Sequence, residues 1–566
     1  MAYILAVNAD ILSSSGGPCK CESENFCRDD PVYLSCKADV HRAYIVATAA
    51  ASVIASGLMG LFANMPLGLA PGLGANAYFA TVVGEAGSGT VPYSQALAVV
   101  WLEGWIFVAL AVFGVRQWLA RILPNSIKLS TGAGIGLYLA FIGLGPGGLN
   151  IVGLSYTNIV GFAGCLPEYQ DENGVCLSHV LQSPKMWVGI FLGGVVIAFL
   201  ILYRVRGAMI IGILLVSISS WPRGSSVTQF PHTPLGDENW DFFKHVATWR
   251  SINPLGPQNI DWQGYDTGHA WLALITFLYI DLLDTTGTLY AMASHAGLVD
   301  VRTGDFEGSS TAYISDALSI CTGSLLGCSP CTAFIESASG IAEGGRTGIT
   351  ALVVALLFFL SLFFAPIFAS LPSWATGSVL VIVGSMMMSS VAEINWGYLG
   401  DALPAFLTII GIPFFYNIAY GLIAGIIAYM ILNIVPWLVI KITRGKVVPE
   451  GWYTDREPWG MAPPAPYMDL STKKLNKFQR WATSSFLFPT WLKKLIAGNW
   501  YFWRLTDAEI ADHLEGRRIS EMHRKIREAR RADELERMRH YPQPPRNVEE
   551  ELPVSVMGGA EKFEEL

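Results

Sequence analysis

Leu67-Gly-Leu-Ala-Pro-Gly-Leu-Gly-Ala-Asn-Ala-Tyr-Phe79 and Gly327-Cys-Ser-Pro-Cys-Thr-Ala-Phe-Ile-Glu336 are two apolar stretches broken by glycine and proline. A plain membrane-crossing helix needs roughly 20 apolar residues. The interrupted segments, about 70–82 and 329–339, are too short for that. They occupy matching places in the two halves of the chain. Such a pair points to the binding site of a transporter built from two repeats. Non-helical backbone at bilayer depth persists only where protein or a watery cavity covers it, and its freed N–H and C=O groups can then hold a polar solute. Two ordinary proline kinks are the rival reading. A matched pair in which each member carries a polar side chain, Asn76 and Glu336, favours function.

The surrounding chain supports a membrane setting. Of 566 residues, 52% are hydrophobic and only 14% charged, with a mean hydropathy of +0.41, whereas soluble domains average about 25% charge. Apolar runs at 43–64, 94–116, 128–150, 185–203, 207–220, 268–295, 310–327, 347–371, 375–392, 403–418 and 419–440 read as spans of an all-α polytopic membrane protein in contact with lipid. Met1–Leu12 is apolar but only half a span, and Ser13-Ser-Ser-Gly-Gly-Pro18 ends it. It lacks the basic region and length of a signal peptide and reads as the second half of a helix. A net charge of −8 without a basic face argues against nucleic acid as partner.

Lys and Arg in short loops set orientation. Arg116, Arg121 and Lys128 flank one connection, Arg204 and Arg206 another, and Lys441, Arg444 and Lys446 follow the last span. These sides read as cytoplasmic, with a cytoplasmic C-terminus. The long loops 13–41, 151–184 and 221–267 then face outside. Six of nine cysteines lie there: Cys19, Cys21, Cys27, Cys36, Cys165 and Cys176. Outside placement fits disulfides. A metal site is the rival, but Cys-x-Cys without a second matched pair is weak evidence for zinc. Cys321, Cys328 and Cys331 read as small packing residues within the membrane.

Beyond 440 the sequence changes character. Residues 447–470 are rich in Pro, Trp and Gly, and Phe486–Trp503 is aromatic with Lys493 and Lys494, which suits the membrane interface. Residues 506–540 alternate in charge sign and read as an exposed helix, and the acidic end reads as disordered. We divide the chain into a first repeat at 1–220, an outside linker at 221–267, a second repeat at 268–440 and a cytoplasmic tail at 441–566.

Buried carboxylates carry the chemistry. Asp281 and Asp284 lie inside the run His269–His295, and Glu336 ends the second broken segment. A charge at bilayer depth costs roughly 2.5–3.5 kcal/mol on insertion scales and usually marks an ion or substrate pathway. Lys and Arg stand only at the ends of candidate spans, as Arg116 and Lys128 do, and none lies in a span's interior to neutralise these groups. Asp281 and Asp284 are three apart and share a helix face. Thr285, Thr286 and Thr288 add hydroxyls, Gly287 allows close approach, and Asn76 offers both donor and acceptor. A flat heteroaromatic ring with N–H donors and C=O or ring-nitrogen acceptors matches this set, and Tyr78, Phe79 and Phe334 are candidates to pack on its faces. Low dielectric disfavours the charged carboxylate, so one of these groups can take up and release a proton in each cycle. Proton coupling follows as the preferred reading, with sodium left open. Asp284 has the alternative role of capping backbone, and Glu103, alone in its span, reads as structural. The nine histidines show no metal-binding spacing, so enzyme chemistry of the metalloprotease kind has no support.

Three motifs then resemble one family. Ala63-Asn-Met-Pro-Leu-Gly-Leu-Ala-Pro-Gly-Leu-Gly-Ala-Asn-Ala-Tyr-Phe79, Phe277-Leu-Tyr-Ile-Asp-Leu-Leu-Asp-Thr-Thr-Gly-Thr-Leu289 and Phe334-Ile-Glu-Ser-Ala-Ser-Gly-Ile-Ala-Glu-Gly-Gly-Arg-Thr-Gly348 are similar, in order, to signatures of the AzgA-like purine permeases, relatives of the nucleobase–ascorbate transporters. The Cys-rich first loop and long tail resemble the fungal branch. The resemblance covers residues 1 to about 440. It implies fourteen segments in two inverted seven-segment repeats, sorted into a core and a gate domain. Segments three and ten would be half-helices with short strands meeting at the substrate. It also implies proton symport of hypoxanthine, adenine and guanine at the plasma membrane by elevator-like movement, with no cofactor beyond the proton gradient. By the same resemblance Asn76, preceded by Gly74, Asp281 and Glu336 would bind substrate, while Asp284 and Glu336 would couple protons or support the site. In similar proteins Met-Ala-Tyr-Ile lies inside the first helix, after an N-terminal region. The first helix is therefore expected to be incomplete here, and a chain beginning at this Met to fold or transport less well.

A uracil, xanthine or urate carrier on the same fold is the nearest rival. An anion transporter of that architecture would bind at paired half-helix N-termini, where unneutralised Asp281 and Glu336 oppose it. A non-transporting receptor built around the tail is the alternative from another class. Oligomeric state stays open, a homodimer included.

Overall fold

The computed structural model describes residues 1, 3–20, 30–84, 89–113, 124–146, 148–153, 161–171, 175–205, 207–253, 255–296, 298–300, 305–306, 308–334, 336–415, 417–449, 452 and 496. The features read from the tail beyond 452, and Cys21, Cys27, Arg116, Arg121 and Arg206, lie outside these residues.

The chain is a helical membrane protein. Among the described residues, eight helices are long and apolar enough to cross a bilayer. In the first half the order is α1 (Ile4–Ser14), α2 (Pro31–Phe62), strand β1 (Leu69–Pro71), α3 (Leu73–Val83) and α4 (Tyr93–Val112). There follow α5 (Asn125–Leu144), α6 (Pro184–Leu202, with a π-helical turn at Gly189–Val195) and α7 (Ala208–Ser220). A short helix, α8 (Pro234–Lys244), stands in the linker. In the second half come α9 (Gly268–His295), α10 (Ser309–Leu325), strand β2 (Cys331–Ala333) with α11 (Ser337–Ala342), and α12 (Gly348–Ala369). The last three are α13 (Ser373–Met387), α14 (Leu399–Phe414) and α15 (Ile418–Ile442). A short strand followed by a short helix thus holds the third place in each half.

One expected boundary needs correction. The span read as 43–64 belongs to a helix that begins at Pro31. Asp30 caps it by accepting the Val32 N–H, and Pro31 opens it without losing a needed donor. At 1.5 Å per residue its 32 residues reach about 48 Å, well beyond a hydrocarbon core of about 30 Å. Lys37, Asp39 and His41 fall in the stretch read as the outside loop 13–41, yet they and Arg42 ride on this helical extension. The extension is anchored. A Cys19–Cys36 disulfide ties it to the chain after α1, and Arg42 donates to Asp39, to Glu238 at 2.7 Å and to Asn239 at 2.5 Å on α8. Arg250 adds a bond to Asp39 at 2.6 Å. Cys165 and Cys176 form a second disulfide in the 151–184 loop, so disulfides rather than zinc account for these four cysteines.

Helix packing sorts into two groups. In one, α2 lies against α1, α10 and α12, while α4 lies against α9 and α10. In the other, α5 lies against α13, α14 and α15, while α6 packs with α7 and α13. Side-chain bonds joining the groups include Thr376 to Asp10 at 2.7 Å, where Asp10 also meets His41 at 2.9 Å, and Thr81 with Tyr138 at 2.8 Å.

Within the second group, α5 and α13 touch through paired glycines. A Cβ on Gly136 would lie 2.7 Å from the Gly384 carbonyl oxygen, and one on Gly143 would lie 2.6 Å from that of Gly377. Small residues permit this approach, and in lipid close packing is a main source of helix association. Gly136→Val is therefore expected to destabilise the protein by about 1–3 kcal/mol, the usual cost of overpacking. The thermal midpoint of detergent-solubilised protein should fall, and an unchanged midpoint would contradict the contact.

Candidate functional site

The two broken segments meet. β1 and β2 pair antiparallel, with Leu69 opposite Ala333, Ala70 opposite Thr332 and Pro71 opposite Cys331. The Gly72 N–H extends the pairing to the Pro330 carbonyl at 2.9 Å, and the Phe334 N–H to Gly68 at 3.1 Å. Backbone at this depth must be satisfied by protein, and side chains complete the task. Ser56 both donates to the Leu69 carbonyl and accepts its N–H, at 2.9 and 3.0 Å, and Ser337 accepts the Gly68 N–H at 3.1 Å. α3 and α11 start one or a few residues past this crossing. Their N-terminal turns, the positive ends of the helix dipoles, therefore lie close to it.

Gly72 leaves no room for a side chain, since a Cβ there would meet the Thr332 hydroxyl at 2.7 Å. Asn76, in the first turn of α3, is buried. Its Oδ1 accepts from the hydroxyl of Ser329, also buried, and its Nδ2 has no partner among the described residues. Gly74 faces elsewhere: a Cβ there would press on Ile135 of α5 at 3.1 Å, so it sits at a contact between the two helix groups.

The carboxylates approach from α9, α10 and the end of β2. Asp281 is buried and accepts from the Thr285 hydroxyl at 3.4 Å. Asp284, one turn further along, accepts a hydrogen bond from Thr332 on β2 and lies within electrostatic reach of Glu336 and Asp316. Cys331 in turn feels Asp281 and Asp316. Glu336 accepts from the hydroxyl of Tyr3, the residue just before α1. Asn76, Asp281, Asp284 and Glu336 are thereby gathered about one strand crossing. Phe79 and Tyr78 are buried against Phe277, with ring centroids 6.3 and 4.8 Å away, so both have packing partners in the helical core. Glu103 is buried where α4 meets Cys321 of α10. Cys321, Cys328 and Cys331 are free and buried, as small packing residues would be. Among the described residues no group of three or more His, Cys, Asp or Glu is arranged to hold a metal ion.

Four contributors escaped the reading of the sequence. Asp316 is a buried acid in a span, and the bilayer-cost argument applied to Asp281 covers it equally. Ser329 lies inside a quoted motif but is one hydroxyl among many. Thr332 and Tyr3 carry no signal until β2 and α1 are placed beside Asp284 and Glu336.

The Permease family model (xanthine/uracil permease type) matches residues 31–424. A Schizosaccharomyces pombe protein with the provisional name xanthine/uracil permease is 55% identical over 514 residues, covering 90% of this chain and 78% of its own. The efflux pump notK' of Aspergillus versicolor is 51% identical over 515 residues, 90% of this chain and 85% of its own. A guanine/hypoxanthine permease of Bacillus subtilis is 32% identical over 455 residues, 79% of this chain and 89% of its own. With its crossed half-segments and family match over most of its length, this chain belongs to the Permease family, whose members are transporters rather than enzymes.

Proposed function

We propose that the protein is a plasma-membrane symporter that couples protons to the movement of the purine bases hypoxanthine, adenine and guanine. The observation that carries this reading is the β1–β2 crossing with Asn76, Asp281, Asp284 and Glu336 gathered about it. Carboxylates accept the ring N–H groups of a purine, and the Asn76 Nδ2 group donates to a ring nitrogen or carbonyl oxygen. The same carboxylates carry the proton. A charged carboxylate at bilayer depth is costly, protonation as the purine binds removes that cost while the loaded site moves, and the proton then leaves with the purine on the other side. Bacterial relatives named as guanine/hypoxanthine and adenine permeases support the substrate class. The division of the helices into two packed groups supports an elevator-like movement, in which the group holding the crossing slides against the other.

A xanthine or uracil carrier is the second reading, favoured by the name of the Schizosaccharomyces pombe relative. Competition separates the two. Uptake of labelled hypoxanthine should be suppressed by unlabelled adenine and guanine and little affected by xanthine or uracil. The opposite order would move the assignment to the second reading.

A further inference from the structure

We propose that Asp10 and Thr376 form a latch that closes the seam between the two helix groups toward the outside, and that this contact breaks and re-forms in every transport cycle. The proposal rests on the transport reading above and names a contact that its movement must release. Asp10 lies near the end of α1, in the group that holds the crossing, and Thr376 is buried in the first turn of α13, in the other group. A carboxylate only accepts, so the Thr376 hydroxyl donates to Asp10 Oδ2, at 2.7 Å. His41 of α2 meets Oδ1 at 2.9 Å. The carboxylate is thus held by its own group on one side and reaches across the seam on the other. The Thr376 hydroxyl has a second acceptor in reach, the Ser373 carbonyl at 2.9 Å. It can therefore leave Asp10 and stay paired within its own helix, which suits a contact that opens repeatedly. Thr81 of α3 and Tyr138 of α5 bond across the same seam at 2.8 Å.

The side and the motion both follow from the surroundings. α1 leads into chain tied by the Cys19–Cys36 disulfide, and α5 leads into the loop that holds Cys165–Cys176. The contact therefore lies toward the face where disulfides persist, the oxidising outside. At its other end α1 is bound to the crossing, because Tyr3 donates to Glu336. Seven residues of helical chain separate Tyr3 from Asp10, about 10 Å at 1.5 Å each. α1 thus travels with the crossing, and displacement of the crossing against α13 draws Asp10 away from Thr376. A cavity of about 320 Å³ lies beside the contact, lined by Asp10 and His41 from one group and Ser373 from the other. The seam is therefore loosely packed where it has to part.

The test places Asp10→Cys and Thr376→Cys in the full chain, singly and together, and adds cadmium, a soft cation that two thiolates hold. Cadmium should raise the thermal midpoint of the purified double variant and leave the single variants unmoved. With cadmium at about 100 times its dissociation constant, the closed form is favoured by about a hundredfold. Labelled hypoxanthine uptake by the double variant should then fall at least about tenfold, and a chelator should restore it. Thr376→Val keeps the size but loses the donor. It should lower the half-saturating concentration of outside hypoxanthine about threefold, as the outward-open form becomes more populated, whereas Thr376→Ser should match the parent. A midpoint that ignores cadmium in the double variant would overturn the proposal. So would a midpoint that rises while uptake stays normal, or a Thr376→Val value at or above the parent's. A parent that takes up no purine would overturn the purine reading instead. Labelling of Thr376→Cys by a membrane-impermeant thiol reagent added outside then decides the latch without substrate: the position reacts if the seam opens, and failure to react overturns the proposal.

Discussion

Replacing Glu336 or Asp281 with alanine is expected to abolish purine uptake while leaving the amount of protein at the cell surface near that of the parent. Each carboxylate stands at the crossing of the two half-segments, Asp281 buried on α9 and Glu336 just past β2. A site built to pair substrate N–H groups rejects a mismatch strongly, because an unpaired polar group stays buried. Measured discriminations of this kind reach about 10⁴-fold, so a loss of at least about a hundredfold is expected here. Folding should suffer less. Glu336→Ala removes the acceptor of the Tyr3 hydroxyl, a cost of about 1–3 kcal/mol. Tyr3→Phe removes the same bond from the other side and serves as the control, because it leaves the carboxylate in place. Uptake and surface protein measured together decide the matter. Normal transport by either alanine variant would remove that residue from the site.

Glu336→Gln sharpens the same result. The amide keeps the size of the carboxylate and still accepts from Tyr3, but it neither carries a proton nor presents two acceptors. Loss of uptake in this variant would assign the defect to charge and proton chemistry rather than to an emptied volume.

Much of this was legible before the structure, and the reasons differ by residue. The two broken segments announced themselves because glycine and proline interrupt apolar sequence in matched places, and β1 and β2 do pair there. Asp281, Asp284 and Glu336 were visible because acids at bilayer depth are rare and costly. The cysteines in the long loops pointed to disulfides through their compartment, although their pairing came only with the fold. Other features depend on contacts distant in sequence. Tyr3 and Glu336 are separated by 333 positions and Ser329 and Asn76 by 253, and local pattern holds nothing that links them. The charged start of α2 misled for a different reason. Hydropathy marks where a helix leaves the membrane and is blind to where the helix ends, and this one continues outward to Asp30. Gly74 was taken with Asn76 as part of one motif, yet the two face different neighbours, Ile135 and Ser329. Two positions apart on a helix, side chains do not share a face.

The second large effect concerns energy coupling. If a carboxylate at the crossing takes up a proton with each neutral purine, then the pH difference and the membrane potential both drive accumulation, and only the loss of both leaves equilibration. A tenfold proton gradient corresponds to 1.36 kcal/mol per proton, so one proton per cycle supports about tenfold accumulation. The decisive measurement is uptake of labelled hypoxanthine by cells or vesicles carrying the protein, with the outside acidic and then with the gradient collapsed by a protonophore. Hypoxanthine should accumulate several-fold above equilibrium in the first condition and fall to equilibrium in the second, with no requirement for sodium. Accumulation that survives the protonophore, or that follows sodium instead, would contradict proton-coupled purine transport.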